Sequence, residues 1–315
     1  MKNRDLNVKY HTDKVAILLA TYQGERYLKE QLDSLLEQTC TDWVACIHDD
    51  GSTDRTMDIV KTYENAYPDK FVVLSHESCH GAKDNFFYLL RAVDAPYLMC
   101  CDQDDIWLKD KIEITLQQMK KIEQEAGKDS PCLVCTDLQV IAADGTVQYK
   151  SMAEVQRLDF KRTRSCDLAM QNVVTGCTMM VNRAMLPYLH KVEDTDKIIW
   201  HDWWCGMIAA EFGRLVCLQK QTIQYRQHGD NSVGAKKANS LDFIREKLKD
   251  ARLSLKRSKE QVQAFCMVYK VDKESLLYQY KECLQQSKWK KIRFARKHAL
   301  SKTGMFRKIG WFLFI

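Results

Sequence analysis

Acidic and polar residues stand where three apolar runs of this 315-residue sequence end: Thr21, the pair Asp49-Asp50, and Asp102. The densest group is Asp102-Gln103-Asp104-Asp105, directly after the run Tyr97 to Cys101. Carboxylates this close repel one another, and some protonate unless a cation sits among them. Alternate residues at a strand end aim side chains at one point, which suits a hard divalent ion that also binds phosphate oxygens. Alone, an Asp-x-Asp is most often a pair of solvated loop acids. In the second group, His48-Asp49-Asp50-Gly51-Ser52-Thr53-Asp54, Gly51 permits a tight turn and Ser52 or Thr53 can cap the next helix. Such a string describes an ordinary strand-turn-helix junction, or a turn whose carboxylate accepts a hydrogen bond from a pyrimidine N–H.

The elements that must carry these residues follow from periodicity. Val15 to Ala20 is a continuous apolar run, as in a parallel strand covered on both faces. Tyr27, Leu28, Gln31, Leu32, Leu35 and Leu36 repeat at helix spacing, and Val44–Ile47, Phe71–Leu74 and Tyr97–Cys101 read as further strands between helices. Strand-helix alternation builds a parallel, Rossmann-like sheet with right-handed crossovers. Ligands of open α/β sheets bind beyond the carboxyl ends of the strands, where the acids lie. From 130 to 235 the pattern loosens: strands at Cys132–Thr136, Thr178–Val181, Leu215–Leu218 and Ile223–Tyr225, a helix from Trp200 to Phe212, and a polar loop over 150–165. From Leu241 through Ile244, Leu248, Ala251, Leu255, Ser258, Val262 and Phe265 a near-heptad stripe predicts a long helix. A second helix over 273–300 would complete a hairpin.

Composition excludes several classes. Hydrophobic residues at 45% and charged residues at 29% describe neither a disordered nor a fibrous chain. The stretch Met1 to Lys14 lacks the apolar core of a signal peptide, and no apolar run is long enough to span a bilayer. The 13 cysteines, most within apolar segments, are therefore expected to be reduced thiols of a cytoplasmic protein rather than disulfides, and no second pair has zinc-ribbon spacing. Charge is unevenly distributed: residues 236–315 hold 21 Lys or Arg against 7 Asp or Glu, while the first 235 are acidic on balance. We place a boundary near 236, between an acidic body (1–235) and a basic helical C-terminal region (236–315).

VAILLATYQGERYLKEQLDSLLEQT, HDDGSTDRT and CDQDDIWLKDKI together resemble, in order and approximate spacing, the inverting family 2 glycosyltransferases, over residues 14 to about 231. The resemblance implies a GT-A fold: an α/β, Rossmann-like mixed sheet flanked by helices, here with a C-terminal helical extension. It implies that Thr21 and Tyr22 sit beside the nucleoside and that Asp50 reads the pyrimidine. Asp102 would lie near the ribose and Asp104 on a divalent metal, Mn²⁺ or Mg²⁺, that neutralises the leaving diphosphate. NVVTGCTMMVNR (172–183) and WHDWW (200–204) fit the same family, whose more usual pair at His201-Asp202 is Glu-Asp. Asp202 would be the general base for the acceptor hydroxyl, or simply a helix N-cap. Trp203 and Trp204 would wall a sugar ring or pack in the core. In YRQHGDNSVG (225–234), His228 matches a histidine that reaches the metal or diphosphate, and Arg226 would pair with phosphate or with one of the many acids.

CDQDDIW, HDWW and YRQHGDNS are also similar to bacterial rhamnosyltransferases of cell-surface polysaccharide synthesis, which implies dTDP-L-rhamnose as donor; a UDP-hexose is the alternative. The tail 288–315, with nine Lys or Arg and no acid, reads as an interfacial anchor on anionic lipid, or as a solvated helix whose apolar end packs on the body. Membrane docking fits a lipid-linked saccharide acceptor and a peripheral place on the inner face of the cell membrane; no nucleic-acid reader motif accompanies the charge. Two rival classes carry other signatures. Nucleotidyltransferases have a Gly-rich basic loop after the first strand, which Thr21-Tyr-Gln-Gly24 is not. A non-catalytic sugar-nucleotide-binding subunit would not need Asp102, Asp104 and Asp202 together.

Overall fold

In the structure, a computed structural model, residues 8–75, 77–228 and 241–315 are described, apart from the side chains of 241–251 and Phe306. The boundary near 236, the residues 229–234 of the last motif, and the stripe positions Leu241, Ile244, Leu248 and Ala251 as side chains lie outside the described residues.

The first half alternates as its periodicity requires: β1 (Tyr10–His11), β2 (Val15–Thr21), α1 (Leu28–Leu36), β3 (Trp43–Asp49), α2 (Thr56–Ala66), β4 (Phe71–Val73), α3 (Ala82–Ala92), β5 (Val93–Asp94) and β6 (Tyr97–Cys101). After it come β7 (Ile106–Trp107), α4 (Lys111–Ala126), β8 (Cys132–Ala142), β9 (Val147–Tyr149), α5 (Met152–Gln156), α6 (Ser165–Met170), β10 (Met180–Asn182), α7 (Leu186–Leu189), α8 (His201–Phe212) and β11 (Arg214–Gln227). The C-terminal helices are α9 (Leu241–Val268), α10 (Leu276–Cys283), α11 (Lys288–Lys297) and α12 (Met305–Phe314). Nine strands form one mixed sheet in the order β4-β3-β2-β6-β10-β8-β11-β7, with β9 on β8. β4, β3, β2 and β6 are parallel, while β10 runs antiparallel to both of its neighbours.

The continuous apolar strands are buried on both faces because helices cover both. Ala16 and Leu18 of β2 join the cluster that holds α3 and α8, whereas Val15, Ile17 and Leu19 join the one that holds α1 and α4. α9 to α12 do not stand apart from this packing: Val262, Phe265, Tyr280, Trp311 and Ile315 belong to the same cluster as Leu18, Phe87 and Trp204.

Several elements differ from the periodicity reading. The two short strands expected at Leu215–Leu218 and Ile223–Tyr225 are one strand, β11, whose register against β8 shifts between Leu218 and Gln221 and again before Gln224. The polar stretch over 150–165 holds α5, started by Ser151, whose hydroxyl accepts from the Glu154 amide (3.0 Å) and donates to Asp137 (2.5 Å). In place of one helix over 273–300 there are α10 and α11, parted at Ser287 in extended backbone (φ −60°, ψ 154°), and α12 makes the C-terminal unit larger than a hairpin. No helix among the described residues is long and apolar enough to cross a membrane.

Candidate functional site

A cleft of about 1930 Å³ opens over the carboxyl ends of β2, β3 and β6, and Thr21, Tyr22, Asp50, Asp102, Asp104, Asp202 and His228 all line it. Three separated stretches of acid therefore meet in one place.

The β3 turn divides labour between its two acids. Asp49 holds the backbone: it accepts from the Thr21 hydroxyl at the end of β2 (2.8 Å) and from the amides of Gly51 (3.1 Å) and Ser52 (2.7 Å). Ser52 does not cap α2 as expected; its hydroxyl donates to Asp49 (2.6 Å) and accepts from the Gln23 amide (2.8 Å), while Asp54 takes the Thr56 amide (3.0 Å). Asp50 faces the cleft, cradled by segment 78–81. It accepts from the Ser78 hydroxyl (2.7 Å) and from the amides of Cys79, His80 (3.0 Å) and Gly81 (2.7 Å). Burial pushes its carboxyl up, but these donors outweigh burial and hold it below the usual carboxylate range. Asp50 is thus an ionised acceptor with a defined orientation. Gln103 clamps Tyr22 by accepting from its amide (2.9 Å) and donating to its carbonyl (2.8 Å), leaving the phenol ring exposed at the cleft edge.

At the end of β6 the carboxylates crowd. Burial, then Asp104 and Asp202, push the Asp102 carboxyl up to about 7, against a hydrogen bond from Cys177. Asp105 is fully buried and likewise raised; it accepts from the Arg226 amide (3.2 Å), and Lys111, buried beneath it, is pushed down to about 8 by burial. Asp102, Asp105 and Cys177 bring ligand atoms within 4.8 Å of one another, but neither Asp105 nor Cys177 lines the cleft. The Cys177 thiol stays protonated: burial and both carboxylates raise its pKa. On the cleft side, Asp104 meets His228 Nε2 at 2.7 Å. Asp102, Asp104 and His228 face the cleft with oxygen and nitrogen donors of the kinds a divalent ion takes, although only Asp104 and His228 are shown in contact.

Of the two expectations for Arg226, the structure shows pairing with an acid, Glu30, and not a place in the cleft for pairing with phosphate. It is 2% exposed and does not line the cleft. Its guanidinium lies over the Tyr27 ring and donates to the Asp104 carbonyl (3.1 Å), the Ala143 carbonyl (3.1 Å) and Glu30 (2.5 Å). The alternation of β11 explains this: Tyr225 and Gln227 face the cleft, so the residue between them faces away. Arg226 therefore steadies the Asp104 backbone from behind.

Asp202 sits in the first turn of α8. It accepts from the Trp203 amide (2.5 Å) and from Asn172 (3.3 Å), and burial pushes its carboxyl up to about 7 against these donors and the Gly176 amide. A carboxyl poised near neutrality in a substrate-sized cleft can accept a proton from a hydroxyl. Beside it, His201 is stacked on Phe86 at 4.3 Å and kept neutral by burial, its pKa near 3. Trp203 lines the cleft, but Trp204 is core: its Nε1 donates to the Tyr269 hydroxyl (2.9 Å) of α9's last turn region. The reading from sequence missed segment 78–81, Asn172 with Gly176, and two groups at one end of the cleft, Tyr149–Arg157 and Gly304–Arg307. Asn172 and Gly176 lie within the quoted stretch 172–183 but were not singled out there; the other groups have no periodic or motif signal of their own.

Residues 16–186 match the family model described as glycosyl transferase family 2. The chain is 31% identical over 251 residues to the dTDP-rhamnosyl transferase RfbG of Shigella flexneri, covering 76% of this chain and 80% of that one. It is 24% identical over 186 residues to an Escherichia coli protein, the UDP-Glc:alpha-D-GlcNAc-diphosphoundecaprenol beta-1,3-glucosyltransferase WfgD, covering 59% and 68%. The fold is similar to that of the mannosyltransferase PcManGT from Pyrobaculum calidifontis, solved with GDP-Man and Mn²⁺, with a TM-score of 0.51, 14% identity, and coverage of 91% and 74%. The mixed sheet and its flanking helices are those of a GT-A glycosyltransferase, and the chain belongs to glycosyl transferase family 2.

Proposed function

We propose that the protein transfers a sugar, with inversion, from a nucleoside diphosphate to a hydroxyl of a lipid-linked saccharide in cell-surface polysaccharide synthesis, with dTDP-L-rhamnose as first-choice donor. The observation that carries this reading is the meeting of Asp50, Asp104 and Asp202 in one cleft. Likeness to RfbG favours rhamnose, whereas likeness to WfgD favours a UDP-hexose and supports a diphospholipid acceptor.

In this mechanism Thr21 and Tyr22 flank the nucleoside and Asp50 accepts the pyrimidine N–H. Asp102, near the ribose, together with Asp104 and His228 would hold Mn²⁺ or Mg²⁺. The ion, when bound, neutralises charge on the departing diphosphate. Asp202 takes the proton of the acceptor hydroxyl as its oxygen bonds the anomeric carbon from the face opposite the nucleotide. The bond from that carbon to the diphosphate oxygen breaks, and the nucleoside diphosphate leaves with the electron pair. Asn172 and the Trp203 amide keep the Asp202 carboxylate aimed. The basic tail supports a peripheral position on the anionic inner face of the cell membrane.

The test is calorimetry and turnover with dTDP-rhamnose, UDP-glucose, UDP-GlcNAc and GDP-mannose, each with Mn²⁺ or Mg²⁺. Binding and hydrolysis or transfer of dTDP-rhamnose above the others is the expected result. Preference for a UDP-sugar would replace the donor, and binding of none would reject the transferase reading.

A further inference from the structure

The end of the cleft bounded by α5 and α12 has a chemistry of its own. Met152, Val155, Gln156 and Arg157 line it from one side, Gly304, Met305 and Arg307 from the other. The two sides are joined: Arg307 Nη1 donates to the Gln156 carbonyl (2.7 Å), and the Arg157 stem lies 4.0 Å from where a Cβ on Gly304 would sit. Lys302 is close enough to feel the Arg307 charge; burial first, then that charge, push its ammonium down to about 8.

Among the described residues no carboxylate forms an ion pair with Arg157, Lys302 or Arg307. A few residues along the chain from Arg157, Arg162 and Arg164 share the single carboxylate of Asp167 (3.1 and 2.6 Å). Arg157 and Arg307 at the end of a substrate-sized cleft, with Lys302 within reach of the Arg307 charge and no ion pair to any of the three among the described residues, mark a place for an anion that the protein does not itself supply.

What lies next to them indicates which anion. Met305, Ile309, Phe312 and Leu313 fall at i, i+4, i+7 and i+8 of α12 and are 47–62% exposed, forming one apolar stripe. Trp311 and Ile315, on the other side of the helix, are buried in the core. Trp289 of α11 is 80% exposed among Lys288, Lys290 and Lys291. A free sugar nucleotide has no use for an apolar stripe beyond its phosphates; an amphiphile with a phosphate head has.

We propose that Arg157 and Arg307, with Lys302 adding to their positive field, form an acceptor subsite that binds the diphosphate of a lipid-linked saccharide, whose hydrocarbon chain leaves along the α12 stripe into an anionic bilayer. The inference rests on the transferase reading of the cleft and names the part of the acceptor that these residues hold. Arg157 directly follows α5 and Arg307 lies in α12, apart from the strand ends that carry Asp50, Asp102 and Asp104.

The full-length protein tests this with farnesyl diphosphate as the probe, farnesol as the uncharged comparator, and phosphatidylglycerol vesicles as the source of headgroup phosphate. Farnesyl diphosphate should bind at least about tenfold more tightly than farnesol; Arg157→Gln and Arg307→Gln should each weaken it by about tenfold, as loss of a charge-assisted contact implies, and Lys302→Gln, through its lost charge alone, by about threefold. Arg307→Lys, which keeps the charge and loses the fork, should fall between. Thermal melts identify any variant that is unfolded, and Lys302→Gln, whose side chain makes none of the described hydrogen bonds, serves where the arginine variants are.

Equal binding of farnesyl diphosphate and farnesol would overturn the proposal. So would variants that lose vesicle binding while keeping farnesyl diphosphate, since the cations would then read headgroups. Parallel loss of dTDP affinity would assign them to the donor instead. If the wild type binds dTDP but not farnesyl diphosphate, the subsite falls and the transferase stands; if it binds neither, both fall.

Discussion

Asp202 carries the sharpest test at the scale of single residues. Its carboxyl is raised to about 7 by burial, against hydrogen bonds that favour the anion. As a general base it must be unprotonated, so the active fraction rises with pH through that value. We expect kcat to climb about tenfold per pH unit between pH 5 and 6.5 and to level off above 7.5, measured with saturating donor and ion. A flat profile over this range would remove Asp202 as the base. Asp202→Asn should lower kcat by about 10²- to 10⁴-fold, while calorimetry finds the donor still bound. Unchanged turnover would be an equally direct refutation.

Most of these residues were legible because strand ends are fixed points. Once Val15–Ala20, Val44–Ile47 and Tyr97–Cys101 are read as parallel strands, Thr21, Asp50, Asp102 and Asp104 must share one edge of the sheet. For Arg226 the sequence left pairing with phosphate or with an acid open, because charge in a sequence carries no direction. Only the alternation Tyr225-Arg226-Gln227 reveals that the arginine points away from the cleft that its neighbours line, and β11 was not recognised as one strand. The amide cradle of Asp50 was hidden for a different reason: backbone N–H groups have no side-chain signature, and only the glycine at 81, with φ +144°, hints at an unusual turn.

At the scale of elements, what escaped the sequence was continuity. β11 is interrupted by register shifts, and a polar insertion at Gln219-Lys220-Gln221 masked a strand that pairs with β8 on both sides of it, at Arg214–Leu218 and again at Gln224–Gln227. The joint before it depends on one small residue. Gly213 follows α8, and a Cβ there would stand 2.0 Å from the carbonyl oxygen of Pro131, which accepts the Arg214 amide at 3.1 Å. Backbone cannot yield as a flexible side chain can, so Gly213→Ala must push β11 away from β8. We expect a loss of about 1–3 kcal/mol in urea unfolding with the slope unchanged. A variant as stable as the wild type would show that α8 and β11 are free to shift against each other.

For the whole molecule, the charge asymmetry between the acidic body and the basic C-terminal region does not make them strangers in space. Trp311 and Ile315 are buried in the cluster that also holds Trp204 and Phe265, so the tail is both a structural prop and a charged surface. Removing residues 305–315 should therefore lower Tm as well as lipid binding. A truncated protein that leaves phosphatidylglycerol vesicles at unchanged Tm would make α12 purely an anchor. That double role could not be read from the tail's amphipathic pattern, because apolar positions on a basic helix fit a bilayer and a core equally well.

The clustered acids link pH, ion and stability across the molecule. Asp102 and Asp202 have folded-state pKa values raised to about 7, by burial first, above the ordinary carboxylate value they regain on unfolding. Between those limits the folded chain holds more protons than the unfolded one, so the contribution of these groups to stability is present at low pH and is lost as pH rises toward 7 and beyond. A divalent ion competes with those protons for the same oxygens, and its binding stabilises the folded state by mass action. The rise in Tm on adding Mn²⁺ should therefore be larger at pH 8 than at pH 5.5, and Asp104→Asn should diminish it at both. An equal rise at the two pH values would mean that the ion binds away from the crowded carboxylates, and the metal-dependent reading of the cleft would have to be given up.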